Sequence, residues 1–428
     1  MVLLDNNSDK QNTIIDGYLV DDPENISNYE YDCVFLLARD FALMRDQLLS
    51  YGVDARKIFD ETDAGMFGKL CVSTSYYMDQ DGPRERILLL THTLDRTGAP
   101  LVLLKAAGIL RRSGFQVQVV CFRDGTLKCD YSNIGASVSV ITCLEPCIGH
   151  LRAFIQWADV IVVNTLEFYS IIKEFEKVGY KKRIIWWLHE EDNYYNEYNI
   201  GIEDDNMLSG VEVFGVGNRV IKSFRKHFLE TDIRELLYGI EDIDDKQKKE
   251  HKGTIFAFIG SCDYRKGEDV FFDAVGMLDN ESIDAQYWII GDSSKGIKSR
   301  YSDRSNILFF GILTQDEMKE KYSEIDVVVC PSRNDPMPVV VTEGMMMKRV
   351  CIVSDHTGQA GIIEDKHSGL VCKSGNPEDL YQKMKWVIDN KDKWDEIGEN
   401  AYLVYKKHFS MGIFEDNLMK VIDGRYEV

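Results

Sequence analysis

Asp335 and Glu343 stand eight residues apart in PSRNDPMPVVVTEGM (331–345), just beyond the apolar run EIDVVVC, with two prolines around Met337 between them. A strand ending at Cys330 and a helix starting near Pro338 leave Asp335 in the connecting turn. Pro338 then falls at the first helical position, where a missing N–H costs nothing. A helical rise of about 1.5 Å per residue puts Glu343 roughly 7 Å further along. A nucleotide sugar laid on such a helix would meet Asp335 with its sugar, the positive helix N-terminus with its diphosphate and Glu343 with its ribose. The same residues also suit a plain turn with an incidental surface glutamate, and this stretch alone does not choose.

Three other stretches carry residues of the same kind. In FIGSCDYRKGEDVFFDA (258–274), Lys266 and Gly267 open a helix after a strand and a short loop; such a lysine can meet a phosphate together with the helix dipole, and Arg265 offers a second cation. The alternative is a solvated basic pair. In LLLTHTLDRTGAPLVLLKAAGIL (88–110), Gly98 falls between strand and helix, where it lets backbone approach a ligand or simply makes a tight turn. In IIWWLHEE (184–191), His189 and Glu190 follow a strand directly, at the edge α/β folds use for ligands, although most histidines so placed are structural.

Other chemistries lack their residues. No Walker motif and no GxSxG are present, and HExxH fails because Asn193 occupies the second histidine position. The acidic pairs Asp79/Asp81 and Asp242/Asp244 sit in polar linkers and read as solvated, and Cys143/Cys147 has no second pair to complete a zinc site, so no metal is expected. A net charge of −21 argues against general nucleic-acid binding.

The elements that must position these residues follow from the alternation of short apolar runs with helical patterns. RILLLTH, FQVQVVCF, VSVITC, DVIVVNT, RIIWWLHE and VEVFGVG form one series; TIFAFIG, QYWIIGD, NILFFGIL, DVVVCPS and RVCIVSD form a second after the charged linker 239–253. Each series is the signature of βαβ units around a parallel sheet. The expected α/β architecture is therefore two facing Rossmann-like domains, 84–240 and 252–405, with a deep cleft at the carboxyl ends of their strands. Residues 406–428 read as a C-terminal helix crossing back to the first domain, and 1–80 as a small N-terminal α/β appendage of no assigned activity. At 428 residues, with 44 % apolar and 28 % charged content, the chain suits two or three globular domains. No apolar run reaches the roughly 18 residues of a membrane helix, and the start MVLLDNNSDKQ lacks a leader pattern, so a cytoplasmic location is expected, as the ten cysteines also suggest. Lys177, Lys181, Lys182 and Arg183 read as a solvated rim that could touch an anionic membrane face.

Taken together, GSCDYRKGEDVF, YWIIGD, NILFFGILTQDEM, DVVVCPSRNDPMPVVVTEGM and GLVCKSGNPEDL, in this order, resemble the family 4 retaining glycosyltransferases of GT-B fold over about 86–425. The resemblance implies Asp335 on the sugar hydroxyls, Glu343 on the ribose and the backbone amides of Met337 and Val339 on sugar and diphosphate. It further implies Lys266 on the diphosphate, Gly98 beneath it, His189 near the transferred sugar, and Gly311, Ile312 and Leu313 bordering the base through backbone groups. Three departures from the family pattern involve four positions. Asp335 replaces a longer glutamate, Pro336 and Pro338 replace residues that offer amides, and Ser261 replaces an arginine, leaving Arg265 as the available second cation.

The implied activity is transfer of a sugar, with its anomeric configuration kept, from a nucleoside diphosphate to a saccharide acceptor, lipid-linked saccharides included. His189, Lys266 and Asp335 would act at the reacting centre, with no cofactor beyond the nucleotide sugar. Two rivals stay open: a sugar-nucleotide 2-epimerase, which would need converging acid and base groups, and a non-catalytic GT-B partner subunit of another transferase.

Overall fold

The computed structural model describes residues 2–426 apart from 9, 16–17, 32–33, 37–40, 60–70, 77–84, 144–147, 178–180, 244–247, 280, 282 and 294. Asp79, Asp81, Asp244 and Cys147 lie outside the described residues.

The N-terminal module holds a three-stranded sheet of β1 (Leu3–Leu4), β2 (Ile14–Ile15) and β3 (Tyr18–Asp21), and a parallel pair, β4 (Val34–Phe35) with β5 (Ile58–Phe59). With α1 (Phe41–Ser50), these enclose a small core of Ile26, Leu36, Leu48, Val53 and Ile58. The boundary expected at residue 80 shifts, because β6 (Cys71–Tyr76) joins the next domain, running antiparallel along the outer edge of its sheet. An exposed edge offers unpaired N–H and C=O groups, and β6 satisfies them.

That next sheet contains β7 (Arg86–Thr91), β8 (Gln116–Cys121), β9 (Ser137–Cys143), β10 (Val160–Asn164), β11 (Arg183–Leu188), β12 (Val211–Gly215) and β13 (Ile233–Glu235). Its order is β13-β12-β11-β10-β7-β8-β9-β6, parallel except for β6. The connecting helices are α2 (Gly98–Arg112), α3 (Lys128–Asn133), α4 (Ile148–Trp157), α5 (Tyr169–Lys177), α6 (Asp192–Glu197) and α7 (Asn218–Phe224). Strands covered by helices on both faces bury nearly every side chain, which is why VIVV of β10 and IIWWL of β11 show no polar alternation.

The second sheet runs β16-β15-β14-β17-β18-β19, all parallel: β14 (Thr254–Ile259), β15 (Ala285–Ile290), β16 (Ile307–Gly311), β17 (Val327–Cys330), β18 (Val350–Ser354) and β19 (Leu370–Cys372). Its helices are α8 (Glu268–Asp279), α9 (Lys295–Arg300), α10 (Gln315–Glu324), α11 (Val339–Met346), α12 (Pro377–Asp389) and α13 (Trp394–His408). Two facing Rossmann-like domains of this kind make a GT-B fold. Among the described residues no helix is long and apolar enough to cross a membrane.

The chain breaks at Phe409–Ser410 after α13, so the helix expected over 406–428 is α14 (Met411–Ile422). At the break it meets the interdomain linker: Ile240 N–H donates to Phe409 O (2.9 Å) and the Tyr405 hydroxyl donates to Ile240 O (3.0 Å). From there α14 lies on the first domain, with Phe414 against Trp187 and the Arg183 guanidinium donating to Val421 O (2.6 Å) and Ile422 O (2.5 Å). This corrects the reading of Arg183 and Lys182 as a solvated rim. Arg183 caps the carbonyl end of α14, where cations are favoured, and Lys182 donates to Gln156 O (3.0 Å) and Ala158 O.

Hydrogen bonds to charged groups contribute about 1.5–3 kcal/mol each. Arg183→Gln should therefore lower the thermal midpoint by a few degrees and loosen α14 first, read as faster amide exchange over residues 411–422. Unchanged exchange there would mean that the apolar face of α14 alone holds it.

Candidate functional site

Loops from the carboxyl ends of both sheets face each other across the cleft. On the wall formed by the second sheet, the loop after β14 carries Lys266 and the loop after β17 carries Asp335. These strands are neighbours, so the two loops touch. Lys266 Nζ lies 2.5 Å from Asp335 Oδ2, with only 10 % of the aspartate side chain exposed. The lysine expected at the diphosphate and the acid expected at the sugar are thus an ion pair.

The geometry around the pair is over-determined. Asp263 Oδ1 accepts the Lys266 N–H (2.9 Å), and its other oxygen accepts from the Ser261 hydroxyl (2.7 Å), so Ser261 shapes the loop that presents the lysine. Gly267 takes φ +75°, and a Cβ there would strike Pro331 O, so only glycine lets the two loops meet. Arg265 donates to Asn334 O (3.1 Å) and accepts at its carbonyl from Arg333 N–H (2.8 Å). Asp335 is held through its backbone, its N–H on His356 O (3.2 Å) and its carbonyl receiving Gly358 N–H (3.1 Å).

The helix begins at Val339, one residue later than expected. Pro338 is its N-cap, with an extended ψ of 120° and a carbonyl that receives both Val341 N–H (3.2 Å) and the buried Gln359 side chain (2.8 Å). Val339, now the first helical residue, keeps a backbone N–H with no intrahelical acceptor. Met337 has a second role: its carbonyl accepts from the Tyr238 hydroxyl (3.1 Å), and its Cε fits between Gly217 and Gly358, where any Cβ would collide with it. Glu343, on the next turn, accepts from the Tyr322 hydroxyl (2.8 Å); burial lifts its carboxyl above the usual range, opposed by that hydrogen bond and by Lys105 from the facing domain. Ile312, after β16, is 82 % exposed.

On the opposite wall, Gly98 opens α2 with open space where a side chain would stand. His189 follows β11, its Nε2 2.9 Å from Asn164 Oδ1 and its ring 5.0 Å from that of Trp187. Burial pushes the imidazole down to about 3, helped by the neighbouring His92, itself pushed down to about 4 by burial and by Arg123. The Glu190 carboxyl accepts the N–H groups of His189 (2.9 Å) and Leu166 (2.9 Å); burial still lifts it to about 7. Arg219, at the start of α7, forks onto Glu191 (2.8 and 2.6 Å) and reaches Asp355 O (3.5 Å) across the cleft. Asn164, Lys105, His92 and Tyr238 escaped the sequence reasoning. The one available signal was the polar Asn-Thr ending the apolar run DVIVVNT. Among the described residues no group of three or more His, Cys, Asp or Glu side chains converges as metal ligands would.

Residues 239–404 match the family model of the glycosyl transferases group 1, and residues 84–208 that of glycosyl-transferase family 4; residues 1–59 match the C2185-like N-terminal model. An uncharacterized glycosyltransferase of Methanocaldococcus jannaschii is 29 % identical over 35 % of this chain and 42 % of its own. The N,N'-diacetylbacillosaminyl-diphospho-undecaprenol alpha-1,3-N-acetylgalactosaminyltransferase of Campylobacter jejuni is 22 % identical over 54 % of this chain and 58 % of its own. The chain thus spans about half the length of the curated relatives it matches. Among solved structures, Anabaena HepE in complex with UDP and glucose superposes with a TM-score of 0.66 at 16 % identity, over 79 % of this chain and 100 % of that one.

Glu190 sets a pH dependence. Its unfolded value is near 4.5 and its folded value about 7, so between these pH values the native state holds a proton that the unfolded state has released. Its contribution to stability therefore falls as pH rises through that window and is lowest above 7. Glu190→Gln should raise the thermal midpoint relative to wild type at pH 8 and change it little near pH 4.5, groups such as His189 cancelling in the difference. A gap that fails to widen with pH would show that the carboxyl is not buried in this way.

Proposed function

Because the chain belongs through both of its halves to the GT4-type glycosyltransferases of GT-B fold, we propose that it moves a sugar from a nucleoside-diphosphate donor to a saccharide hydroxyl with retention of the anomeric configuration. The observation that carries this reading is the Lys266–Asp335 pair at the mouth of α11, with Glu343 one turn up the same helix. On donor binding Lys266 turns to the diphosphate, and Asp335, released, accepts from the sugar hydroxyls. Glu343 takes the ribose, beside the Tyr322 hydroxyl that holds it. Gly98 and the start of α2 leave room for phosphate, and the exposed loop at Gly311, Ile312 and Leu313 borders the base.

The acceptor hydroxyl attacks on the face that the diphosphate leaves, and a phosphate oxygen takes its proton, so no enzymic nucleophile is required. Positioning and neutralisation of the leaving diphosphate supply the rate, through Lys266 and an α11 terminus equivalent to about half a positive charge. Both are fixed parts of the chain, so the reaction needs no divalent ion. UDP is the first nucleotide to test, given the ligand of HepE, and a lipid-linked saccharide at the cytoplasmic face of a membrane is the first acceptor class, given the Campylobacter relative.

Glu343→Ala should weaken UDP-sugar and bare UDP alike in calorimetry, whereas Asp335→Ala should lower turnover and leave bare UDP affinity within a few-fold of wild type. Equal loss of UDP binding in both variants would reverse the assignment of sugar end and ribose end. Lys266→Ala should cut turnover by about a hundred- to a thousandfold, and a loss of under about threefold would move the role to Arg265.

Transfer should proceed unchanged in excess EDTA, and NMR of the new linkage should show the donor's anomeric configuration. Activity lost to EDTA and restored by Mn²⁺ would refute the ion-free reading. Conversion of a UDP-sugar to an epimer without acceptor would replace transfer by epimerisation.

A further inference from the structure

Asn164 is the last residue of β10, and its side chain is fully buried at the end of an otherwise apolar strand. Its Oδ1 lies 2.9 Å from His189 Nε2, and its Nδ2 donates to Ala99 O (3.3 Å) in the first turn of α2, next to Gly98. It is thus the one described side chain that bonds both the helix start expected under the diphosphate and the imidazole expected at the sugar. We propose that Asn164 is a positioning residue of the transfer reaction, fixing both the place of the His189 ring and the nitrogen that carries its proton.

The chemistry of the two ends leaves one arrangement. A backbone carbonyl only accepts, so the nitrogen end of the amide must face Ala99 O. The oxygen end then faces the ring and can only accept, so His189 carries its proton on Nε2 and keeps a lone pair on Nδ1. That lone pair can accept from a hydroxyl of the sugar or the acceptor. Burial pushes the imidazole down to about 3, so near neutral pH the ring is uncharged and the tautomer, rather than the charge, is the variable to be set.

The residue that follows supports a built device. Thr165 has φ +89° and ψ 159°, a conformation that glycine alone adopts freely, and it is 1 % exposed. Three contacts hold it there: its N–H donates to Trp187 O (2.9 Å), its carbonyl accepts from Trp186 Nε1 (2.9 Å), and its hydroxyl meets His92 Nδ1 (3.3 Å). An ordinary strand end would relax, whereas this one is pinned on the two tryptophans that precede His189.

The inference rests on the transferase reading for its role in turnover, but the ring itself can be observed without turnover. In ¹⁵N-labelled wild-type protein, His189 should show a protonated Nε2 and a bare Nδ1, unchanged between about pH 6 and 8. Asn164→Leu should give a mixture of tautomers and lose roughly 10–100-fold in turnover, taking the scale known for partners that orient metal-bound imidazoles, with the donor KM little altered. Asn164→Asp keeps an acceptor for Nε2–H and should retain the tautomer and recover part of the turnover, with a folded chain as the control for the leucine variant. A wild-type ring protonated on Nδ1, or a leucine variant with tautomer and turnover both intact, would overturn the proposal. A correct ring spectrum in a protein that transfers no sugar would refute the role in transfer and leave the ring assignment standing.

Discussion

A cation whose side chain is mostly buried in the wall of a cleft, as the one we propose for the diphosphate is, needs a partner while it waits. An unpaired charge in such a place is costly, and breaking a buried pair by removing one member typically costs about 3–5 kcal/mol. Lys266 and Asp335 solve this by holding each other. Much of the second domain can be read as support for that contact. β14 and β17 are adjacent, so their loops emerge side by side; Gly267 lets them touch; Asp263 and Ser261 set the turn before the lysine; and the loop after β18 clasps the backbone of Asp335. The pair also fixes where the aspartate carboxylate sits, because the lysine comes to it.

The facing domain is fixed against this site by chemistry rather than by loose apposition. Met337 is gripped between Gly217 and Gly358, its carbonyl taken by Tyr238, whose hydroxyl also meets Thr342 (3.0 Å) on α11. Behind this seam the linker at Ile240 is bonded to the break between α13 and α14, and α14 then lies on the first sheet. A change of angle between the domains would have to act on these few bonds together. The prolines at 336 and 338 suit the seam, because the chain there offers its carbonyls, to Tyr238 and Gln359, more than its amides.

The two sheets were legible in the sequence because strands buried on both faces are continuous apolar runs, and the linker because charge interrupts them. The places of Lys266, Asp335 and His189 in the fold were legible because each lies within a few residues of the end of such a run, on the loop that leaves the strand. The start of α11 was misplaced by one residue, since a proline is equally at home at the cap and at the first turn and only the partner of its carbonyl, Gln359, twenty-one residues on, decides. β6 was assigned to the wrong module because its pairing with β9 spans some sixty residues that no local pattern links. Arg183 looked like part of a basic rim, since nothing near it reveals carbonyl partners at 421 and 422. Asn164 and Lys105 were missed for the same reason: their meaning lies in partners from other elements.

The two walls of the cleft differ in how they carry charge, and the difference suits the proposed reaction. The wall with Lys266 offers that ammonium and the start of α11 to a leaving diphosphate on the proposed reading. On the opposite wall the groups around His189 are held uncharged or nearly so: burial holds His189 and His92 neutral near pH 7, Glu190 gives up its proton only near pH 7, and Arg219 is paired with Glu191. An imidazolium at 189 would compete with Lys266 for the diphosphate and draw it away from the helix terminus that should receive it. A neutral ring instead offers only a directed hydrogen bond, and a directed hydrogen bond needs a defined tautomer and a fixed ring. That requirement gives the strained Thr165 and the buried Asn164 a reason to exist: backbone strain of this kind costs on the order of 1–3 kcal/mol and persists where the surroundings hold it in place, as the two tryptophans do here.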